Sequence, residues 1–131
     1  MLMPSKTQRK GARSEELAET LLRKLGYQII GRNWRCGHVE IDRIAWDGET
    51  LVFVEVRSRR TSKNGTPQES IGRRKRRLLE KAAALYLQGV AIEPSPAIRF
   101  DVVCLVDGEC ELIKDAFDVF ELPRQSSIWV I

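Results

Sequence analysis

Apolar positions recur along this chain in two rhythms. From about Gly11 they follow a helical period, with Leu17, Ala18, Leu21, Leu22 and Leu25 on one stripe, Ser14 at the N-cap position and Gly26 as the stop. Tyr27 to Trp34 then reads as a strand that ends in an irregular turn at Arg35 to His38. Two further β-rich runs flank Asp47-Gly48, a hairpin signal. The second of them, Leu51 to Val56, is apolar at nearly every position, as in a strand buried on both faces. A second helix is predicted from about Pro67 to Gln88, before Gly89, with Ile71, Leu78, Leu79, Ala82, Ala83 and Tyr86 on its stripe. Ala97 to Val106 is another buried strand, Asp107-Gly108 a second turn, Glu109 to Lys114 an edge strand and Ala116 to Leu122 a short helix. The expectation is one α/β domain over residues 1–131, in the order α-β-β-β-α-β-β. A loose basic arm occupies 1–10, and an apolar tail at 123–131 either docks on the core or serves a dimer contact.

Charges interrupt this pattern where they are least expected. Glu40 and Asp42 lie in the first strand of the hairpin, Glu55 and Arg57 in or just after the second. A turn at Asp47-Gly48 sets Glu40 opposite Glu55, whereas a turn at Gly48-Glu49 sets Asp42 opposite Glu55. Strict alternation places all four side chains on one face in either register. Crowded carboxylates on a central sheet need compensation. A divalent cation such as Mg²⁺ is one form of it, pairing with Arg57 a second and open solvent a third. Glu15 either caps the first helix or points at these carboxylates, and Lys75, on the apolar stripe of the second helix, either snorkels to its edge or aims at an anionic site.

Composition narrows the classes. The chain has 131 residues, 43% hydrophobic and 31% charged, enough for one real core. No apolar run approaches the ~20 residues of a membrane span, and MLMPSKTQRKG lacks a signal-peptide core, so a cytoplasmic protein is expected. Cys36, Cys104 and Cys110 are odd in number and unsuited to a disulfide framework, and Cys104 reads as a buried small hydrophobe. With His38 as the lone histidine, a zinc site and a His-activated nucleophile are both disfavoured. No GxGxxG or GxxxxGK[ST] loop occurs. The net charge is only +4, but Arg57 to Lys81 holds ten basic residues (Arg57, Arg59, Arg60, Lys63, Arg73, Arg74, Lys75, Arg76, Arg77, Lys81) against Glu69 and Glu80. A one-sign cluster beside a carboxylate face points to phosphate-backbone binding.

In this order the motifs GARSEELA, GRNWR, EIDRIA, LVFVEVRSR, the helix carrying Lys75, and RFDVV resemble the YraN family of uncharacterised bacterial proteins, from about Gly11 to Phe117. That family belongs to the restriction-endonuclease-like, PD-(D/E)XK nuclease superfamily. The resemblance implies a mixed β-sheet flanked by helices and Mg²⁺- or Mn²⁺-dependent hydrolysis of DNA, branched or junction DNA included. Asp42 matches the metal-binding acid, Glu55 the acid of the (D/E)XK half-motif, Glu40 the acid before the metal-binding Asp, and Glu15 the helix glutamate of the junction-resolvase branch. Lys75 and Asp101 match further polar positions. Arg59, Arg60, Arg73, Arg74, Arg76 and Arg77 are the expected contacts to flanking phosphates. Two departures stand out: Val39 replaces the usual Gly before EID, and Arg57 replaces the lysine of EVK. Arginine keeps the charge without lysine's compact ammonium, and Lys75 is a candidate to supply one. The alternative function is a nucleic-acid-binding module of the same fold that does not cut. Junction resolution would call for a homodimer presenting two sites.

Overall fold

The protein is described from a computed structural model that covers residues 6–59 and 71–117, without the side chains of residues 6–10 and 59. Helix α1, Lys6–Lys24, is followed by strands β1 (Gln28–Cys36), β2 (Val39–Asp47) and β3 (Thr50–Arg59), helix α2 (Arg73–Val90), and strands β4 (Ala97–Val106) and β5 (Glu109–Ile113). This is the expected order. The five strands form one sheet in the order β1-β2-β3-β4-β5, antiparallel except for the parallel β3/β4 pair that α2 connects.

The sheet is covered on both faces. Ala18, Leu22, Val52, Val54, Val103 and Leu105 form the core under α1. Leu51, Phe53, Leu79, Ala83, Phe100 and Phe117 are part of the core under α2. Each face of β3 thus meets a different helix, which is why its sequence is apolar without alternation. Phe100 stacks on Phe117 with ring centroids 4.9 Å apart, and Tyr86 of α2 meets Trp34 and Phe53 edge-on.

Several boundaries differ from the sequence reading. Residues 6–10 are helical rather than a loose arm, and Ser14 is buried inside α1 instead of capping it. Straight-chain Lys, Gln and Arg extend the helix upstream of the apolar stripe. Gly26 does end it: Gly26 N–H bonds Arg23 C=O and Tyr27 N–H bonds Leu22 C=O, with Gly26 at φ 93. Leu17 and Leu25 are exposed at the edges of the stripe, and α2 likewise leaves Leu78 exposed while burying Leu87. Helix α2 is seen from Arg73 and passes Gly89 to a left-handed cap at Ala91. Ala116 and Phe117 are buried and not helical. The predicted start at Pro67, the 61–66 loop and the 123–131 tail lie outside the described residues.

The β2/β3 turn is Gly48-Glu49, since Asp47 pairs with Thr50, and the Asp47-Gly48 register is thereby corrected. Gly48 has φ 62, and two-residue hairpins put glycine first when only the first central residue needs positive φ. A polar network on the α1 side secures the sheet. Arg99 donates to Asp101, Asp47 and the Tyr27 hydroxyl, while Tyr27 donates to Asp101 at 2.7 Å. Burial and the Asp101 hydrogen bond push the Tyr27 phenol up, and Arg99 holds Asp47 down. Asp101, singled out by the family resemblance, is engaged in this network. Among the described residues, no helix is long and apolar enough to cross a membrane.

Candidate metal centre and nucleic-acid cleft

The site begins with a defect in the β1/β2 ladder. Arg32 pairs with Arg43 and Trp34 with Ile41, but the intervening Asn33–Asp42 pair is missing. Asn33 takes φ 49, a left-handed conformation that asparagine tolerates better than most residues. Residues two apart on a strand normally share a face; here Arg32 and Arg43 turn to α1, while Trp34 and Ile41 turn to α2. Strict alternation therefore fails at this point. Glu40 is engaged from the α1 side and Glu55 from the α2 side, and Asp42 sits between them. The expectation that Glu40, Asp42, Glu55 and Arg57 share one face is corrected accordingly.

The β2/β3 ladder stops at Arg43↔Val54. Beyond it Asp42 uses its side chain, with Val56 N–H donating to Asp42 Oδ2 at 2.8 Å. Continued one step, the register sets Asp42 opposite Glu55, the second of the two expected pairings. The two carboxyl groups are in hydrogen-bonding contact, and Asp42 is pushed well above the usual carboxylate range. Burial is the main cause, the Glu55 hydrogen bond and charge add to it, and the Val56 N–H opposes it.

Three acids meet on the α1 side, where one carboxylate oxygen from each of Glu15, Glu40 and Asp42 lies within 4.8 Å of the others. Asn33 Nδ2 donates to Glu15 at 2.5 Å and to Glu40 at 2.6 Å. The opposite amide orientation would aim a carbonyl at two carboxylates, so the contacts themselves assign it. Glu15 lies well inside α1 and faces the cluster; it does not cap the helix. Arg43, 4% exposed, holds this side together. Its Nη1 donates to Glu15 at 3.1 Å and to the Asp42 carbonyl at 2.7 Å, and its Nε donates to Glu19 at 2.8 Å. Glu19 also receives Arg32 and Arg23, and the Arg32 hydrogen bond leads in lowering its pKa to about 2.

On the other side Glu55 is 6% exposed. Lys75 Nζ of α2 comes to 3.4 Å from Glu55 Oε2, which answers the question of whether Lys75 snorkels or aims at an anion. The angle is poor, and Oε2 is buried without a hydrogen bond. Asn33, Arg43 and Glu19 were missed in the sequence reading. GRNWR and EIDRIA contain two of them, but only the kink shows why they meet.

Asp42, Glu15, Glu55, Arg57 and Lys75 line one open cleft. Arg73, Arg74 and Arg77 are exposed at the N-terminal end of α2. Arg76 instead lies over the Phe117 ring and donates from Nε to the Ile71 carbonyl, so it serves the core rather than an open surface. The Arg59 side chain and Arg60 lie outside the described residues.

Residues 14–105 match the family described as "Uncharacterised protein family UPF0102". A "UPF0102 protein" of Syntrophus aciditrophicus is 45% identical over 115 residues, covering 85% of this chain and 90% of its own. The "UPF0102 protein STH1475" of Symbiobacterium thermophilum is 45% identical over 116 residues, with 85% and 98% covered. The "UPF0102 protein PA4424" of Pseudomonas aeruginosa is 44% identical over 115 residues, with 83% and 92% covered.

Proposed function

The chain belongs to the uncharacterised protein family UPF0102, the YraN family its motifs resemble, and we propose that it is a metal-dependent endonuclease acting on DNA phosphodiesters. The observation that carries this reading is the buried Glu55 Oε2, which lacks a hydrogen bond beside the carboxyl of Asp42. The Lys75 ammonium 3.4 Å away gives this oxygen charge compensation without a hydrogen bond, two crowded buried acids call for more, and an all-oxygen donor set suits Mg²⁺ or Mn²⁺. Asp42 and Glu55 would hold the ion, with Glu40 and Glu15 at its edge, directly or through water. The bound ion would supply a more acidic water and neutralise developing charge on the phosphate.

The other roles fall to this chain's own groups. Lys75, held against Glu55, places an ammonium where the scissile phosphate would enter the cleft and takes the place left by the Arg57 departure. Arg57 lines the same cleft and would contact phosphate with its planar guanidinium. Arg73, Arg74 and Arg77 bind flanking phosphates. Glu15 corresponds to the resolvase-branch glutamate, which makes branched DNA, cut by a homodimer, the first substrate to test. The experiment is incubation with branched, duplex and single-stranded DNA in Mn²⁺ or Mg²⁺, for wild type, Asp42→Ala and Glu55→Gln. Metal-dependent cleavage lost in both variants is the expected result. Arg57 favours one alternative, a module that binds DNA without cutting; salt-dependent binding with no cleavage under any divalent ion would select it.

A further inference from the structure

The cleft that contains the acid cluster continues past it. It encloses about 760 Å³, within the ~300–1,000 Å³ of small-molecule sites. At roughly 100° per residue around α1, Ser14 and Ala18 face the sheet, Glu15 leaves toward β2, and Leu17 leaves toward β4. Leu17 is 44% exposed and opens into the cleft with Val56, Leu105 and the Asp107-Gly108 turn. Ser14 and Gly11 lie along the same wall, and a Cβ added at Gly11 or Gly108 would meet nothing within 4 Å. One end is therefore ionic, with Asp42, Glu55 and Lys75, and the rest of the lining sets the apolar side chains of Leu17, Val56 and Leu105 among Arg13, Arg57, Ser58 and Asp107.

A nucleotide has this division of chemistry, a charged phosphate joined to a flat apolar base. A base in an intact duplex is stacked on both faces and cannot enter a cleft, whereas an unpaired base enters without the few kcal/mol of unstacking that a paired one requires. We infer that the Leu17 wall is a subsite for one unpaired nucleobase of the strand whose phosphate lies at the Asp42–Glu55 end. This rests on the proposed nuclease reading and narrows it to phosphodiesters beside unpaired nucleotides, as in single strands, flaps and branch points. The base lies against Leu17 and the apolar strand ends, and the site prefers single-stranded over duplex DNA.

The test is fluorescence anisotropy of a labelled oligonucleotide, single-stranded and as the same sequence in a duplex, with Ca²⁺ as the oxygen-seeking divalent ion. Wild type should favour the single strand, Leu17→Glu should lower the single-strand-to-duplex affinity ratio about tenfold, and Leu17→Trp should raise it several-fold, because stacking on an indole adds contact. Misfolding cannot produce the Leu17→Trp gain. A wild type without single-strand preference, or a ratio that neither variant moves while DNA still binds, overturns the subsite and leaves the metal-centre reading intact. A wild type that binds neither DNA form overturns both.

Discussion

Replacing Arg43 by methionine removes a buried guanidinium while keeping most of its volume. Four bonds are lost, to Glu15 at 3.1 Å, to the Asp42 carbonyl at 2.7 Å, to Glu19 at 2.8 Å and a long one to Asn33 Oδ1 at 3.5 Å. Deleting one partner of a buried ion pair costs about 3–5 kcal/mol because a charge is left uncompensated. Two features place Arg43 at the low end of that range: Glu19 keeps Arg32 and Arg23, and the Glu15 and Glu19 side chains retain 19% and 15% exposure. The expected loss is about 3 kcal/mol, read as a lower urea midpoint at unchanged slope. Arg32→Met is the comparison. Its side chain is 51% exposed, and the loss should be clearly smaller than that of Arg43→Met. If Arg43→Met lost less than about 1 kcal/mol, or Arg32→Met lost as much as Arg43→Met, the argument that Arg43 fastens α1 to β2 would be refuted.

Asp42→Asn should stabilise the cation-free protein at neutral to alkaline pH. A carboxyl raised in the fold contributes stability that is present below its unfolded pKa and is lost as pH rises through the folded one. Thermal melts from about pH 5 to pH 9 should therefore slope downward for wild type and lie flatter for the variant. Glu19 shifts the other way: with its pKa lowered from 4.5 to about 2, its contribution is present above the unfolded value and disappears as pH falls through that window. Glu19→Gln should lack that acid loss in urea titrations. Lys75→Met should retain divalent-ion binding and lower cleavage about 100-fold or more, the scale of removing one charge-stabilising group; unchanged cleavage would remove Lys75 from the proposed mechanism.

The order of elements was legible because each strand and helix carries its own period, and β3 announced its central place by being apolar at almost every position. Gly26 and the Asp107-Gly108 turn marked their ends by glycine chemistry. The β2/β3 register needed one more step, since Asp47-Gly48 and Gly48-Glu49 both contain the same glycine and only its positive φ at the first central position separates them. Glu15, Asp42, Glu55 and Lys75 could be nominated as charges in apolar stripes, and the structure brings each into the same cleft. What period-two reasoning could not reach was the kink at Asn33, where a single left-handed residue exchanges the faces of two strands. Arg43 then turns to α1, and Asn33 becomes the amide between Glu15 and Glu40. Glu19 carried no signal in the sequence, because the arginines that bind it come from β1 and β2 across the helix.

The central claim is that the carboxylates around Asp42 form a cation site. Titration calorimetry of the wild type with Mn²⁺, set against Asp42→Ala, tests it most directly. The account predicts a saturable site in the wild type that the variant lacks, with protons released on binding because burial and the neighbouring Glu55 raise the Asp42 carboxyl well above the usual carboxylate range. A wild type that binds no Mn²⁺, or an Asp42→Ala variant that binds it equally well, would contradict the claim.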